Sequence, residues 1–203
     1  MGQQTDNKDK RAKRATDDGA KDARASVILL CAAKIVTEGG VDGLKMADLA
    51  RRCGLAKGTV YLYFPTKDEL LDALLRRELD DWHQKVTTKL TPETNVADFG
   101  SLLADLTMQS PVLVSLCGWA ADYSWKSAAA NKAHEAPIQV AGTQLGMHLA
   151  TLLGMGSRPG RRIGFGIMAT MLGAQCLSAG DPAEFGRIFT PAVNQMVRGV
   201  HGA

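Results

Sequence analysis

Cysteine is scarce in this chain of 203 residues, and no two of its four cysteines stand in a C-x-x-C pair. Cys31, Cys53, Cys117 and Cys176 are widely separated along the sequence, so their spacing suggests neither a zinc site nor a disulfide framework. Aromatic residues are also few, at 5% of the composition. A reducing cytoplasm fits this cysteine usage best.

Long apolar runs are missing as well. No stretch approaches the ~18–20 apolar residues that cross a bilayer, and residues 1–21 are too polar for a signal peptide. The alternation of apolar and polar residues that marks half-buried strands is absent too. The sequence therefore predicts a soluble, cytoplasmic, all-α protein with no membrane partner.

Catalytic motifs are absent or misplaced. The G-x-G-x-x-A pattern of Gly164–Ala169 lies inside a predicted helix with no strand before it, so it cannot form a phosphate-binding turn. The four histidines show no H-E-x-x-H spacing, and no serine stands in a G-x-S-x-G elbow. An adjacent pair, His134 and Glu135, is typical of an exposed helix face. We therefore expect no enzyme activity, no cofactor and no metal site.

Positive charge is concentrated in the N-terminal third. The net charge is only +3, yet residues 1–67 hold 13 Lys and Arg against 8 Asp and Glu, whereas residues 91–203 hold 7 of each kind. A module that faces phosphate needs such a bias. Residues 1–20 have no apolar anchor and are predicted to form a disordered basic tail, either a solubilising segment or an arm that reaches into a minor groove.

Helical periodicity predicts a DNA-binding domain over residues 21–67 and a helical domain over residues 68–203. The first domain has helices from Lys21 to Glu38, Met46 to Cys53 and Ala56 to Phe64. A capping box at Thr66–Glu69 then starts a long fourth helix that ends near Leu90. Thr91-Pro92 and Ser110-Pro111 mark later helix starts, and the further helices are expected near residues 92–108, 111–124, 126–154, 159–179 and 182–200.

The second and third helices have the composition of a helix-turn-helix. Ala50 is the small residue that lets the two crossing helices come into contact, and Gly54 allows the sharp turn between them. The apolar side chains that pack under the third helix are Leu55, Val60 and Phe64. Burial of these residues turns the rest of the third helix outward. The exposed set is Lys57, Gly58, Thr59, Leu62 and the hydroxyl ends of Tyr61 and Tyr63, which suits a DNA groove.

Residues 43–71, GLKMADLARRCGLAKGTVYLYFPTKDELL, closely resemble the N-terminal signature of the TetR family of transcriptional regulators, and the resemblance covers about residues 21–75. It implies base-reading or groove-facing positions at Ala47, Lys57, Gly58 and Thr59. It implies phosphate-binding positions at Lys45, Tyr61, Tyr63 and Lys67. Lys45 stands where many members have a Ser or Thr cap, and Ala47 where many have Arg, which leaves base reading more dependent on Lys57 and Thr59.

The same resemblance implies that the C-terminal helices hold a small-molecule effector. This half contains soft Met side chains together with Trp, Tyr and His, the composition of an adaptable apolar pocket with polar anchors. Most of these residues serve a core equally well. The candidates for lining a pocket are Trp119, Tyr123, His148 and Gln175.

The last two helices are predicted to form a homodimer interface, with closure of the chain's own core as the alternative. The apolar residues assigned to it are Ile163, Ile167, Thr170, Met171, Ala174, Leu177, Phe185, Ile188, Phe189, Val193, Met196 and Val197, with Gly164, Gly166 and Gly173 allowing close approach. In such a dimer, two copies of the third helix that lie one DNA turn apart would recognise a pseudo-palindrome in double-stranded DNA.

These features together predict a transcriptional repressor that leaves its operator when a small apolar or amphipathic ligand tilts the fourth helix. An activator of the same fold is one alternative. A helical adaptor that uses the N-terminal module to contact protein is the other, and salt dependence separates it from a DNA-binding protein.

Overall fold

The computed structural model describes the backbone of residues 3–126, 131–179 and 181–201, and the side chains of residues 19–121, 137–179 and 181–199. The secondary structure of these ranges is helical, with no strand, which confirms the predicted all-α class. The chain divides into two compact units, Met1–Leu70 and Leu71–Ala203. The predicted Tyr123 side chain and the His134–Glu135 pair lie outside the described side chains.

The first unit contains helices α1 (Gln3–Gly39), α2 (Met46–Arg52) and α3 (Lys57–Tyr63) and the first turn of α4 (Lys67–Lys89). The apolar side chains that the 3.6-residue period places on one face of each helix are buried together. Its core comprises Ile28, Ala32, Ile35, Val36, Leu44, Met46, Leu49, Ala50, Val60, Phe64 and Leu70.

Helix α1 begins much earlier than the sequence predicts. The backbone is helical from Gln3, whereas we expected a disordered tail over residues 1–20 and a helix start at Lys21. Residues 3–18 contain no Pro or Gly and are rich in Ala, Lys, Arg and Gln, which have high helix propensities. Our prediction required an apolar residue at the helix start and therefore placed it too late, because local propensity alone favours a helix in this stretch.

The second unit contains the rest of α4 and helices α5 (Phe99–Met108), α6 (Pro111–Lys126), α7 (Asn131–Leu152), α8 (Ser157–Ser178) and α9 (Pro182–His201). Ser110 caps α6 as predicted, since the amide of Leu113 donates to its Oγ at 3.2 Å. The largest buried side chains of this unit include Trp82, Phe99, Phe185 and Phe189.

The predicted helix start at Thr91-Pro92 is wrong. The amide of Thr91 donates to Oγ1 of Thr94 at 3.0 Å, which closes a turn there. A 3₁₀ turn follows at Val96–Asp98, capped by the Asn95 side chain, which accepts from the amide of Ala97 at 2.9 Å. Hydroxyl and amide side chains that bond to nearby backbone thus hold the segment in turns up to α5.

Helices α7 and α8 cross at glycines. A Cβ on Gly164 would overlap the carbonyl oxygen of Gly142 and lie 2.6 Å from the amide nitrogen of Gly146, and a Cβ on Gly146 would lie 2.5 Å from the carbonyl oxygen of Gly160. Gly164 therefore serves the chain's own packing, whereas the sequence analysis assigned it to a partner. The two helices run antiparallel, because Gly142 and Gly146 face Gly164 and Gly160 respectively.

Most residues predicted for the dimer interface pack inside the second unit. Their burial corrects the prediction, because the amphipathic faces of α8 and α9 close this unit's own core. The buried ones are Ile163, Ile167, Met171, Ala174, Phe185, Phe189, Val193 and Val197. The others are half-buried or exposed, with Leu177 at 73% and a Cβ on Gly173 meeting open space.

Within the described ranges, no single helix has the length and apolar character of a membrane span. Val96–Met108 and Pro111–Ala121 reach that threshold only when taken together, across a bend of 96°.

Candidate nucleic-acid interface

The buried side of α2 and α3 has the arrangement that the sequence predicts. Ala50 and Val60 are 3% and 0% exposed, so the two helices meet closely, and Phe64 is buried beside them. Gly54 adopts φ +66°, a left-handed conformation that glycine adopts without strain. The amide of Leu55 donates back to the carbonyl of Ala50 at 2.9 Å, which closes the turn, although Leu55 itself is only half-buried.

The opposite side of α3 faces solvent. Lys57 and Gly58 are exposed, Thr59 and Tyr63 are half-buried, and Tyr61 is 38% exposed. The ammonium of Lys57 lies 5.7 Å from the centre of the Tyr61 ring, a cation–π distance that favours one orientation of both side chains. A seven-residue helix thus presents a cation, hydroxyl groups and a gap at Gly58 on one face.

Gly58 has no structural reason to be glycine. A Cβ at this position would meet nothing within 4 Å, and the residue has an ordinary helical φ. Glycine inside a helix is less favourable than alanine by about 0.5–1 kcal/mol. The close approach of α3 to a groove, which the resemblance implies at Gly58, stays a prediction.

Lys45 and Ala47 flank the start of α2 and are exposed. Lys45 occupies the N-cap position with extended backbone and makes no side-chain capping hydrogen bond. An ammonium only donates hydrogen bonds and cannot cap the amides of α2, so the predicted contact of Lys45 with phosphate stays a prediction. Ala47 presents only a methyl group.

Lys67 has a partner within its own unit. Its Nζ donates to the carbonyl oxygen of Val41 at 2.8 Å, and the side chain is half-buried. The bond ties the start of α4 to the turn after α1. An ammonium has three donors, so the predicted contact with phosphate stays a prediction beside this structural role. Next to it, the Glu69 amide donates to Oγ1 of Thr66 at 3.1 Å, which is the first half of the predicted capping box.

Leu62 belongs to the outward set that the sequence predicts for the third helix, although the resemblance assigned it no role. It is 80% exposed, which agrees with that prediction. It lies on α3, one turn after Gly58, and apolar side chains in the major groove contact the thymine methyl group. Arg51 and Arg52 are also exposed, but they pair with Asp48 at 2.9 Å and Glu38 at 2.7 Å.

Of the four residues predicted to line an effector pocket, Tyr123 has no described side chain, and His148 and Gln175 lie far apart. Trp119 is half-buried on α6. His148 lies near the Gly146–Gly160 contact of α7 and α8, and Gln175 lies about 22 Å further along α8 at 1.5 Å per residue. Gln175 is only 7% exposed, and its Oε1 has no hydrogen-bond partner within the described part of the chain.

His148 belongs to a different polar cluster. Its Nε2 lies 3.0 Å from the carbonyl oxygen of Leu90, and its ring meets that of His83 edge-on, with centroids 6.5 Å apart. Nδ1 of His83 is buried and has no partner among the described residues. Burial lowers the pKa of His83, the neighbouring His148 lowers it further, and Asp80 opposes the shift.

This cluster predicts a loss of stability in mild acid. Because the pKa of His83 is lowered on folding, the unfolded chain takes up a proton first as the pH falls below about 6.5. Stability is therefore full above that pH and declines as the pH approaches the lowered value. Thermal unfolding between pH 7.5 and 5 should show this decline, and His83→Asn should flatten it. An unchanged slope in the variant would contradict the assignment.

Comparison with known proteins finds similarity in the first unit of the chain. The family of bacterial regulatory proteins described as tetR matches residues 28–74. Residues of this chain are 33% identical over 67 positions to the transcriptional repressor KstR2 of Rhodococcus jostii, covering 33% of each chain. The chain spans about half the length of the first curated relatives it matches.

Solved structures extend the likeness to the fold of nearly the whole chain. A TetR-family transcriptional regulator of Mesorhizobium loti superposes with a TM-score of 0.61 at 17% identity, over 88% of this chain and 97% of that one. A TetR variant of Acinetobacter baumannii, solved with minocycline, gives 0.59 at 17% identity, over 86% and 94%. The match to the tetR family of bacterial regulatory proteins thus lies over residues 28–74, the part of the chain that contains α2 and α3.

Proposed function

We propose that this protein is a dimeric transcriptional repressor whose α3 enters the major groove of a pseudo-palindromic operator. The observation that carries the proposal is the division of α3 into a buried side at Val60 and an exposed side at Lys57, Gly58 and Leu62. On that exposed side Lys57 donates to guanine O6 and N7, Thr59 and the two tyrosines donate hydroxyl hydrogen bonds, and Leu62 contacts a thymine methyl.

The contacts to phosphate come from the flanks of the same unit. Lys45 lies exposed just before α2, and Lys67 is the first residue of α4, at whose N-terminus an anion is favoured. These contacts fix orientation without reading sequence. Repression is the activity we assign because occupation of an operator blocks transcription without any further partner, and one relative carries the name repressor.

The dimer forms through the sides of α8 and α9 that the second unit leaves uncovered. A groove of about 730 Å³ opens there, lined by Arg158, Pro159, Arg162, Ile163, Gly166 and Met196. Leu177 and the open space at Gly173 continue the same surface along α8. A dimer supplies two copies of α3 for one operator, and the half-sites of a pseudo-palindrome lie one DNA turn apart, ~34–36 Å.

The effector is a small apolar or amphipathic molecule held in the second unit. Gln175 supports this site, since its buried amide oxygen has no partner among the described residues and can accept a hydrogen bond from a ligand hydroxyl or amine. Trp119 on α6 is its proposed neighbour. Binding is transmitted through α4, which starts in the first unit and ends in the second, and it lowers operator affinity.

Selection of bound fragments from genomic DNA with the purified protein tests the function and supplies the operator. We expect Lys57→Ala to lose about 1–3 kcal/mol of discrimination at one guanine of each half-site. Affinity for DNA of random sequence should change far less. Lys34→Ala, an exposed lysine of α1 in the same unit, is the matched control. Binding curves for operator and random DNA measure both, and equal losses in the two variants would refute the assigned role.

A helical adaptor is the second candidate, and the exposed Leu62 is the feature that favours it. Contact with phosphates weakens steeply with salt, because each neutralised phosphate releases a counterion. An apolar contact with another protein does not weaken with salt in this way. A salt slope near zero for the selected fragments would therefore favour the adaptor.

A further inference from the structure

The outer side of α8 carries a regular seam of residues that are exposed or half-buried. They recur at alternating intervals of three and four positions, namely Pro159, Arg162, Gly166, Ala169, Gly173 and Cys176. This spacing averages 3.5 residues, the period of two helices that pack side by side at a shallow angle of about 20°. The buried residues Ile163, Ile167 and Met171 lie on the opposite side of α8 and face its own unit. The seam is therefore the side of α8 that is left for a second helix.

The glycines of the seam leave room for close contact. A Cβ at Gly173 would meet nothing within 4 Å, so packing inside the chain does not require glycine there. A Cβ at Gly166 would come within 3.0 Å of the Met196 sulfur, which belongs to a flexible side chain. Glycine lowers helix stability, but it lets another backbone come close. With Ala169 between them, these residues offer a second helix a flat, small-residue contact.

The start of α8 is positively charged. Arg158 and Arg162 are exposed, one turn apart, and form no ion pair within the part of the chain that the structure describes. The first turn of α8 contains no acidic residue. The free amides of a helix N-terminus add partial positive charge, which disfavours cations there. An acidic partner from outside the unit would offset this charge.

The end of α8 has the opposite charge. Its last turn contains no basic residue, and its terminal carbonyl groups carry partial negative charge. The exposed Asp181 follows, and its side chain accepts from the amide of Ala183 at 2.9 Å. A carboxylate has acceptor sites for several more donors. Glu184 is paired with Arg187, so the unbalanced negative charge lies on Asp181 and the carbonyl groups.

We propose that α8 packs antiparallel against α8 of a second copy along this seam, with the arginines at the start of each α8 bound to the acidic end of the other. A two-fold axis near Ala169 permits this. Arg158 lies about 17 Å before Ala169 at 1.5 Å per residue, and Asp181 follows Ala169 at a similar separation in the sequence. The same axis sets Gly166 opposite Gly173. This inference rests on the proposed dimer and names the contacts that hold it together.

Leu177 adds an apolar contact at each end. It is 73% exposed near the end of α8, and the axis sets it beside Arg162 of the second copy. The methylene groups of an arginine can cover an apolar side chain while the guanidinium reaches the carbonyl groups beyond it. A parallel arrangement would instead set arginine against arginine. The charges therefore select the antiparallel arrangement.

Analytical ultracentrifugation of the full-length protein tests the pairing without DNA. Arg162→Glu places a carboxylate beside the acidic end of the second copy, and Leu177→Lys places an ammonium beside Arg162. We expect each variant to raise the dimer dissociation constant roughly tenfold or more. The double variant R162E/L177K sets opposite charges against each other at both ends and should recover most of the loss. Arg76→Glu, at an exposed arginine of α4, is the matched control.

Recovery in the double variant supports the pairing, since one substitution does not repair a folding defect caused by the other. Circular dichroism checks that every variant folds. Losses that add up in the double variant overturn the antiparallel contact. A dimer that none of the variants weakens overturns it too, and leaves the proposed dimer on another surface. A protein that stays monomeric at every concentration removes both the contact and the dimer, whereas selection of genomic fragments still tests DNA binding by α3.

Discussion

Replacing Gly58 by Leu should lower operator affinity roughly 100-fold while the protein remains folded. A Cβ at Gly58 meets nothing within 4 Å, so the side chain enters open space on the exposed side of α3. On DNA that space lies between the helix backbone and the groove wall. A loss of about 1.4 kcal/mol of binding free energy at each of the two α3 helices of the dimer gives the factor of 100.

The same substitution should not lower the stability of the protein, so a loss of operator affinity cannot be attributed to unfolding. Leucine favours a helix over glycine by up to about 1 kcal/mol, so the melting temperature should stay constant or rise slightly. Gly39→Leu provides the matched control, because Gly39 is an exposed glycine at the end of α1 whose Cβ also meets open space. Fluorescence anisotropy with a labelled operator fragment measures the affinity. An unchanged affinity for Gly58→Leu would exclude α3 from the interface.

The sequence predicted this part of the molecule well, because local rules determine it. The left-handed turn after α2 requires a glycine, which is Gly54, and the inner side of α3 requires an apolar residue, which is Val60. Pro65 ends α3. Each of these signals can be recognised from a few neighbouring residues in the sequence. The bounds of α2 and α3 accordingly agree with prediction to within one residue. Lys67 shows the limit of that reasoning, since its bond to the carbonyl of Val41 spans a turn that no local pattern describes.

Tertiary partners account for what the sequence could not predict. The sequence shows that α8 and α9 have apolar faces, but it does not show what covers them. A helix of the same chain and a helix of a second copy require the same apolar residues. The start of α1 was missed for the opposite reason, because helix propensity alone continues it to Gln3.

The crossing of α7 and α8 gives the second large effect, and here it concerns stability. Gly164→Ala adds one methyl group, which would overlap the carbonyl oxygen of Gly142 and lie 2.6 Å from the amide nitrogen of Gly146. These are backbone atoms inside a helix, so they cannot move aside without separating the two helices. Overpacking of this kind costs about 1–3 kcal/mol, and we expect a value near the upper end.

Gly118→Ala on α6 is the matched control, because a Cβ there meets nothing within 4 Å. Alanine replaces glycine in a helix in both variants, so propensity alone would raise both melting temperatures by a similar amount. At Gly164 the added methyl group has no space, so the substitution lowers the melting temperature instead. A loss of about 3 kcal/mol of unfolding free energy corresponds to a fall of roughly 6–12 °C for a chain of this size. Thermal unfolding followed by circular dichroism measures the difference. A melting temperature that rises equally in both variants would mean that α7 and α8 do not cross at backbone contact, and the groove on the outer side of α8 would then lose its support.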